Sequence, residues 1–210
     1  MAESSLRLFF ALPLPPVLQA SLGRWQAAHP GIDRWSRPEG LHLTLAFLGE
    51  RPMEGLSALE ALGAEVAGRH RAFLLATAGL GTFPADVMPG LGSGITWGSK
   101  GGRRVSLGER AVPPFMAGPR ARVLWLALAP SPALEALAAD LRGALAAAGE
   151  AFDAKPFRAH LTLARLRRPR PLGGVDAPPP VSFTADRLVL FESGPQGSYT
   201  PLRAWNLRTV

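Results

Sequence analysis

The chain contains no cysteine. That excludes disulfides, thiolate nucleophiles and thiolate metal centres. It lacks any apolar run near the ~18 residues that a membrane span requires. Leu6 to Leu12 resembles the start of a signal peptide, but Pro13, Pro15 and Pro16 interrupt it early. A matching segment around Trp125 assigns the pattern to the fold, so a cytoplasmic protein is expected. No Gly-x-Ser-x-Gly elbow is present, so a Ser-His-Asp triad has no support. Acidic residues are outnumbered, 16 against 23 basic ones, for a net charge of +7 and a pI near 11.2. Most of the positive charge is arginine, and Arg165, Arg167, Arg168 and Arg170 fall together. A surface of this kind favours phosphate-bearing partners.

Histidine is also scarce, with four in 210 residues. Two of them open identical tetrapeptides, His42-Leu43-Thr44-Leu45 and His160-Leu161-Thr162-Leu163. More than half the chain separates the copies. In an extended strand alternate side chains share a face. Each copy therefore presents one imidazole and one hydroxyl on its front and two leucines on its back.

The tetrapeptides sit in a longer repeat. Arg7 to Pro13 and Arg122 to Pro130 are apolar strand candidates that end at proline. A helix pattern follows each. The first opens at Pro15 or Pro16 and repeats Leu18, Leu22 and Trp25. The second has Ser131 as cap, Pro132 in the first turn, a stripe of Leu134, Leu137, Leu141 and Leu145, and Gly149 as the stop. The order strand, helix, His-x-Thr strand occurs twice, which argues for a duplicated unit. We expect one two-lobed domain over 1–210. Its pseudo-repeats span about 6–49 and 122–168, an insertion-like loop spans 85–121, and C-terminal strands lie within 183–207. A helix is expected over 53–69 and a strand over 71–77, ending in a loop at 79–84. Single strands are expected over 183–191 and 199–207. The fold class is α+β: a bilobal duplicated unit, two mostly antiparallel sheets facing a central cleft, helices outside.

Two histidines facing one pocket suit paired acid–base work. An ordinary imidazole titrates near pH ~6.5, so at neutral pH one can accept a proton while the other donates. Thr44 and Thr162 can hold non-bridging phosphate oxygens, and an arginine can neutralise the charge developing there. A phosphodiester with an alkoxide leaving group fits best, and a strained 2′,3′-cyclic phosphate fits well. A metal centre is disfavoured, since threonine ligates poorly and no carboxylate repeats beside the motif. His29 and His70 read as surface residues.

The chain resembles the 2H phosphoesterases, defined by two His-x-Thr/Ser motifs. Within them it is similar to the RNA 2′,3′-cyclic phosphodiesterases of the LigT type, historically called 2′-5′ RNA ligases. The resemblance rests on Arg7–Leu12, Leu41–Gly49, Val123–Trp125, Phe157–Arg165, Leu190–Ser193 and the tail around Tyr199. It implies hydrolysis of RNA 2′,3′-cyclic phosphate ends to 2′-phosphomonoesters, without metal or cofactor. It implies His42 as proton donor to the 3′ oxygen, His160 as the base that activates water, and Thr44 and Thr162 as phosphate contacts. Arg165 would be a further phosphate contact. Phe47 is expected in the core, with stacking on a base as the alternative. The partner implied is RNA carrying a 2′,3′-cyclic phosphate end, with no membrane, no obligate protein partner and a monomeric chain. Reversible 2′-5′ ligation at the same site, or an RNA-end-binding module with little turnover, are the alternatives.

Overall fold

The computed structural model describes residues 5–84, 120–172 and 175–209. Most of the expected 85–121 loop lies outside the described residues. Eight strands and three α-helices are found among those described. They run β1 (Ser5–Pro13), α1 (Pro16–Ala27), β2 (His42–Pro52), α2 (Leu56–Arg69), β3 (Phe73–Pro84) and β4 (Ala121–Leu128). The chain continues through α3 (Pro132–Ala147), β5 (His160–Arg170), β6 (Ser182–Ala185), β7 (Arg187–Ser193) and β8 (Tyr199–Asn206). The strands form two four-stranded antiparallel sheets, ordered β2-β1-β7-β8 and β5-β4-β3-β6. The two orders are the same pattern, with β1 and β2 in one sheet where β4 and β5 stand in the other. The α+β class with two antiparallel sheets is as expected.

Local chemistry accounts for the helices. The Ser131 hydroxyl caps α3 by accepting from Leu134 N at 3.3 Å, with Pro132 in the first turn. Leu134, Leu137, Leu141 and Leu145 of α3 are all at most 1% exposed. Gly149 ends α3 at φ +74°, a conformation that favours glycine, while Glu150 N closes back onto Leu145 O. Helix α1 has Pro15 at its N-cap and no side-chain cap.

Connections between the lobes position the site. The segment leading into β2 crosses to the other sheet and pairs with β5: Ser36 N donates to Leu163 O at 2.8 Å and Arg165 N to Arg34 O at 3.2 Å. In return, Asp153 N, in the segment leading into β5, donates to Phe47 O of β2 at 2.9 Å. Each motif strand is thus edged by the lead-in of the other. Gln26 of α1, 4% exposed, secures the first crossing by donating to Ser36 O at 3.1 Å. Helix α3 follows β4 in sequence but packs on β2, beside α2. One continuous apolar core runs through both lobes, with Phe10, Leu43, Leu137, Leu161 and Leu190 at most 1% exposed. Each such side chain contributes roughly 1.5–3 kcal/mol on burial.

Two expectations need correction. The segment 79–84 is not a loop; β3 continues through Pro84, paired with β4. Gly81 permits this, because a Cβ there would lie 2.2 Å from the Trp125 ring. The apolar run 183–191 is two strands rather than one. It breaks at Asp186, whose carbonyl accepts from Leu207 N at 2.8 Å, so β6 joins β3 while β7 joins β1. An apolar periodicity of two carries no mark of which sheet the strand serves. Among the described residues, no helix is long and apolar enough to cross a membrane.

Candidate active site

Both motifs fall on the opening residues of their strands, and both alternate as strand geometry requires. Leu43, Leu45, Leu161 and Leu163 are at most 1% exposed, while His42, Thr44, His160 and Thr162 are only partly buried. The imidazoles are anchored identically. His42 Nδ1 donates to Gly40 O at 2.7 Å, and His160 Nδ1 donates to Arg158 O at 2.7 Å. A carbonyl oxygen can only accept, so Nδ1 carries the proton in each ring. The neutral ring then presents Nε2 as its basic nitrogen.

The two motifs meet. His42, Thr44, His160 and Thr162 line one cavity of about 60 Å³, joined by Arg165, Ser36, Gly40 and Tyr199. The cavity is the size of a small anion rather than a whole nucleotide. Beside it opens a groove of about 590 Å³ that shares Thr44 and His160. Phe47, Phe83 and Phe157 supply its aromatic lining, and Arg142, Lys155 and Arg158 its positive charge.

Aromatic rings support both imidazoles, but not in the same way. His42 lies 4.7 Å from Phe9, 4.7 Å edge-on from Tyr199 and 6.0 Å from Phe191. His160 meets Phe83 edge-on at 5.3 Å and Trp125 at 6.0 Å. Burial lowers the pKa of His42 to about 4, against the opposing pull of the Gly40 carbonyl; the charges of Arg165 and His160 push it the same way as burial. His160 is also lowered, mainly by burial and further by Arg165, with the Arg158 carbonyl opposing. Surrounded by protein alone, both rings are therefore neutral bases at pH 7. An anion between them would favour the protonated forms. Among the described residues no three of His, Asp and Glu cluster as metal ligands.

Comparison with known proteins agrees with this geometry. The LigT like Phosphoesterase model matches residues 12–90, and the 2'-5' RNA ligase superfamily model matches residues 111–196. Each match contains one motif. An RNA 2′,3′-cyclic phosphodiesterase of Thermus thermophilus is 33% identical, over 97% of this chain and 91% of its own. A protein of the same name from Escherichia coli is 30% identical, over 96% of each chain. The chain belongs to the LigT-like phosphoesterase family. Among solved family structures, one from Thermus thermophilus superposes with a TM-score of 0.68 at 28% identity, covering 97% of this chain and 99% of that one. Escherichia coli LigT complexed with 3′-AMP gives a TM-score of 0.65 at 28% identity, with the same coverage.

Against that family background, the structure adds residues that motif reading left out. Tyr199 and Phe9 wall the His42 side, while Phe83 and Trp125 wall the His160 side. All four are strand residues whose sequence context resembles any core aromatic, so nothing short of the sheet register reveals them. Phe47 departs from its expected place in the core: it is half-buried, lines the groove and carries the Arg7 guanidinium 5.0 Å above its ring. His29 and His70 are not free surface groups. His29 Nδ1 donates to Trp25 O at 2.7 Å, and His70 Nε2 meets Asp140 Oδ2 at 2.8 Å, tying the end of α2 to α3.

Proposed function

We propose that this protein hydrolyses RNA 2′,3′-cyclic phosphate ends to 2′-phosphomonoesters by proton transfer between His42 and His160. The observation that carries the reading is the shared cavity, in which two identically anchored imidazoles face one anion-sized space. Relatives bearing that activity in their names support the substrate class. In the reaction, His160 Nε2 takes a proton from water as its oxygen bonds to phosphorus. The P–O3′ bond breaks, and His42 Nε2–H gives its proton to the departing O3′. The 2′ oxygen keeps the phosphate. Thr44 and Thr162 donate to non-bridging oxygens, and Arg165 offsets their charge.

The acid role demands a protonated His42, which the protein alone disfavours. The phosphate must supply the missing stabilisation, by placing a negative charge against the ring. Proton donor and substrate are thereby coupled: His42 becomes an acid when the cavity holds its anion. No protein residue beyond these groups is required, and the cycle closes when water resets the two rings. The groove beside the cavity has the size and aromatic lining for the nucleoside that bears the phosphate.

Product analysis on an oligoribonucleotide ending in 2′,3′-cyclic phosphate tests the reading. A 2′-phosphate product, formed in excess EDTA and lost in His42→Ala and in His160→Ala, is expected. A 3′-phosphate product, a strict metal requirement, or full activity without His160 would refute it. Joined RNA at useful substrate concentrations would indicate ligation instead. Tight, salt-sensitive binding that survives both substitutions without turnover would indicate an RNA-end-binding module.

A further inference from the structure

A second cavity, about 500 Å³ in volume, opens beyond the groove. It lies along α3, between Ser131, Glu135 and Ala139 on one side and Leu128 and Ala159 on the other. Arg142 and Phe157 line both this cavity and the groove, so the two spaces adjoin at those side chains. The lining residues follow one another from the histidines, past Phe47 and Phe83, to Arg142, and then along α3. The cyclic-phosphate chemistry uses nothing beyond the first cavity and the groove. Volumes of about 590 and 500 Å³ each suit a small organic ligand of nucleoside size.

We propose that the α3 cavity binds the nucleotide preceding the cyclic-phosphate end, and that Arg142 holds the phosphate linking the two. The proposal rests on the reading of the protein as an RNA cyclic phosphodiesterase. Arg142 stands at the junction, where an internucleotide phosphate must pass. Its guanidinium is fixed rather than free to swing: one NH₂ donates to Lys155 O at 2.7 Å, and the group lies 4.8 Å above the Phe152 ring. A planar, preorganised fork suits a phosphodiester better than a flexible ammonium does. Lys155, the neighbouring cation, is engaged by Asp153 Oδ2 at 3.1 Å. Glu135 lies in the first turn of α3, at the cavity's far end. Its negative charge disfavours a phosphate there, leaving the Arg142 end for the linkage. The competing path runs along Arg165 and Arg167 on β5.

Arg142 is on this account a specificity residue that senses whether the substrate continues beyond its terminal nucleotide. The test compares kcat/KM for a 2′,3′-cyclic mononucleotide with that for a dinucleotide ending in the same cyclic nucleotide. The wild type is expected to favour the dinucleotide by about tenfold, within the range that one stacked base contributes. In Ala139→Trp, which fills the α3 cavity from an exposed helix position, that ratio falls to about one. Arg142→Ala lowers the ratio likewise, and Arg142→Lys restores part of it, which a purely structural role would not do. Equal rates on both substrates in the wild type would overturn the proposal, as would a preference that survives both Ala139→Trp and Arg142→Ala. A preference that disappears instead in Arg167→Ala would move the path to β5 and also overturn it. Absence of turnover on either substrate in the wild type is a different result, which sinks the enzymatic reading itself.

Discussion

The two lobes carry the same tetrapeptide at the same place in the same sheet pattern, yet they give their histidines different surroundings. His42 is boxed by Phe9, Phe191 and Tyr199, and burial takes it down to about pH 4. His160 shares its wall with Phe83 and Trp125 and opens onto the wide groove. Five residues past each histidine the contrast repeats: Phe47, paired with Phe9 on β1, faces the groove, while Arg165, paired with Val123 on β4, faces the cavity. One lobe offers an apolar surface at that position and the other offers charge. A duplicated unit can thus keep its backbone and its hydrogen-bonded imidazole while the neighbours divide two chemical tasks.

The sharpest way to break this comparison is to remove each ring. His42→Ala and His160→Ala should each lower kcat by ~10²–10⁴-fold, the usual worth of a positioned acid or base. The double variant should lose little more than either single one, since the pair acts as a unit. The two losses should separate on a phosphodiester with a nitrophenolate leaving group, which needs no protonation. That substrate should rescue His42→Ala and leave His160→Ala inactive; equal rescue of both would erase the division into acid and base.

Acid titration asks the same question of stability. His42 titrates near 4 in the folded protein and near 6.5 unfolded, so the unfolded chain binds more protons between those values. The stability present above pH 6.5 should fall as pH drops toward 4, by at most about 3 kcal/mol from this ring. The lowered His160 acts in the same direction. Denaturant midpoints followed from pH 7 to 4 would show it, and Tyr199→Ala should shrink the effect by admitting water to His42. NMR titration should also find the His42 pKa raised when inorganic phosphate is added.

Arg165→Ala should cost about tenfold to a hundredfold in kcat/KM through lost charge compensation. It should also raise both imidazole pKa values, since its guanidinium lowers each. Unmoved pKa values would place the guanidinium outside the cavity in solution. The smallest contrast lies in the helices. Ser131→Ala should destabilise the protein by ~1 kcal/mol through loss of the α3 cap, with activity on a 2′,3′-cyclic mononucleotide, which does not reach the α3 cavity, unchanged. Helix α1, which has no side-chain cap, has no equivalent position to lose.

Several parts of this molecule could be read from residue order. The His-x-Thr strands follow from alternation, and α3 follows from its serine, its leucine stripe and Gly149. Other parts could not. Gly81 reads as a turn residue until Trp125 is seen to need its space. The break at Asp186 depends on two sheets competing for one apolar run. His70 has the look of a surface residue because its partner, Asp140, lies 70 residues away in sequence.

Sequence alone determined the local rules: which residues alternate across a strand, where a helix begins, and that one imidazole and one hydroxyl share each motif face. Those properties depend on neighbours within a few residues. Tertiary structure decided that the two faces look into one cavity, that burial depresses both pKa values, and that a second cavity lies along α3. Burial and electric field sum over everything within several ångströms, and here those neighbours come from strands and lead-in segments that cross between the lobes.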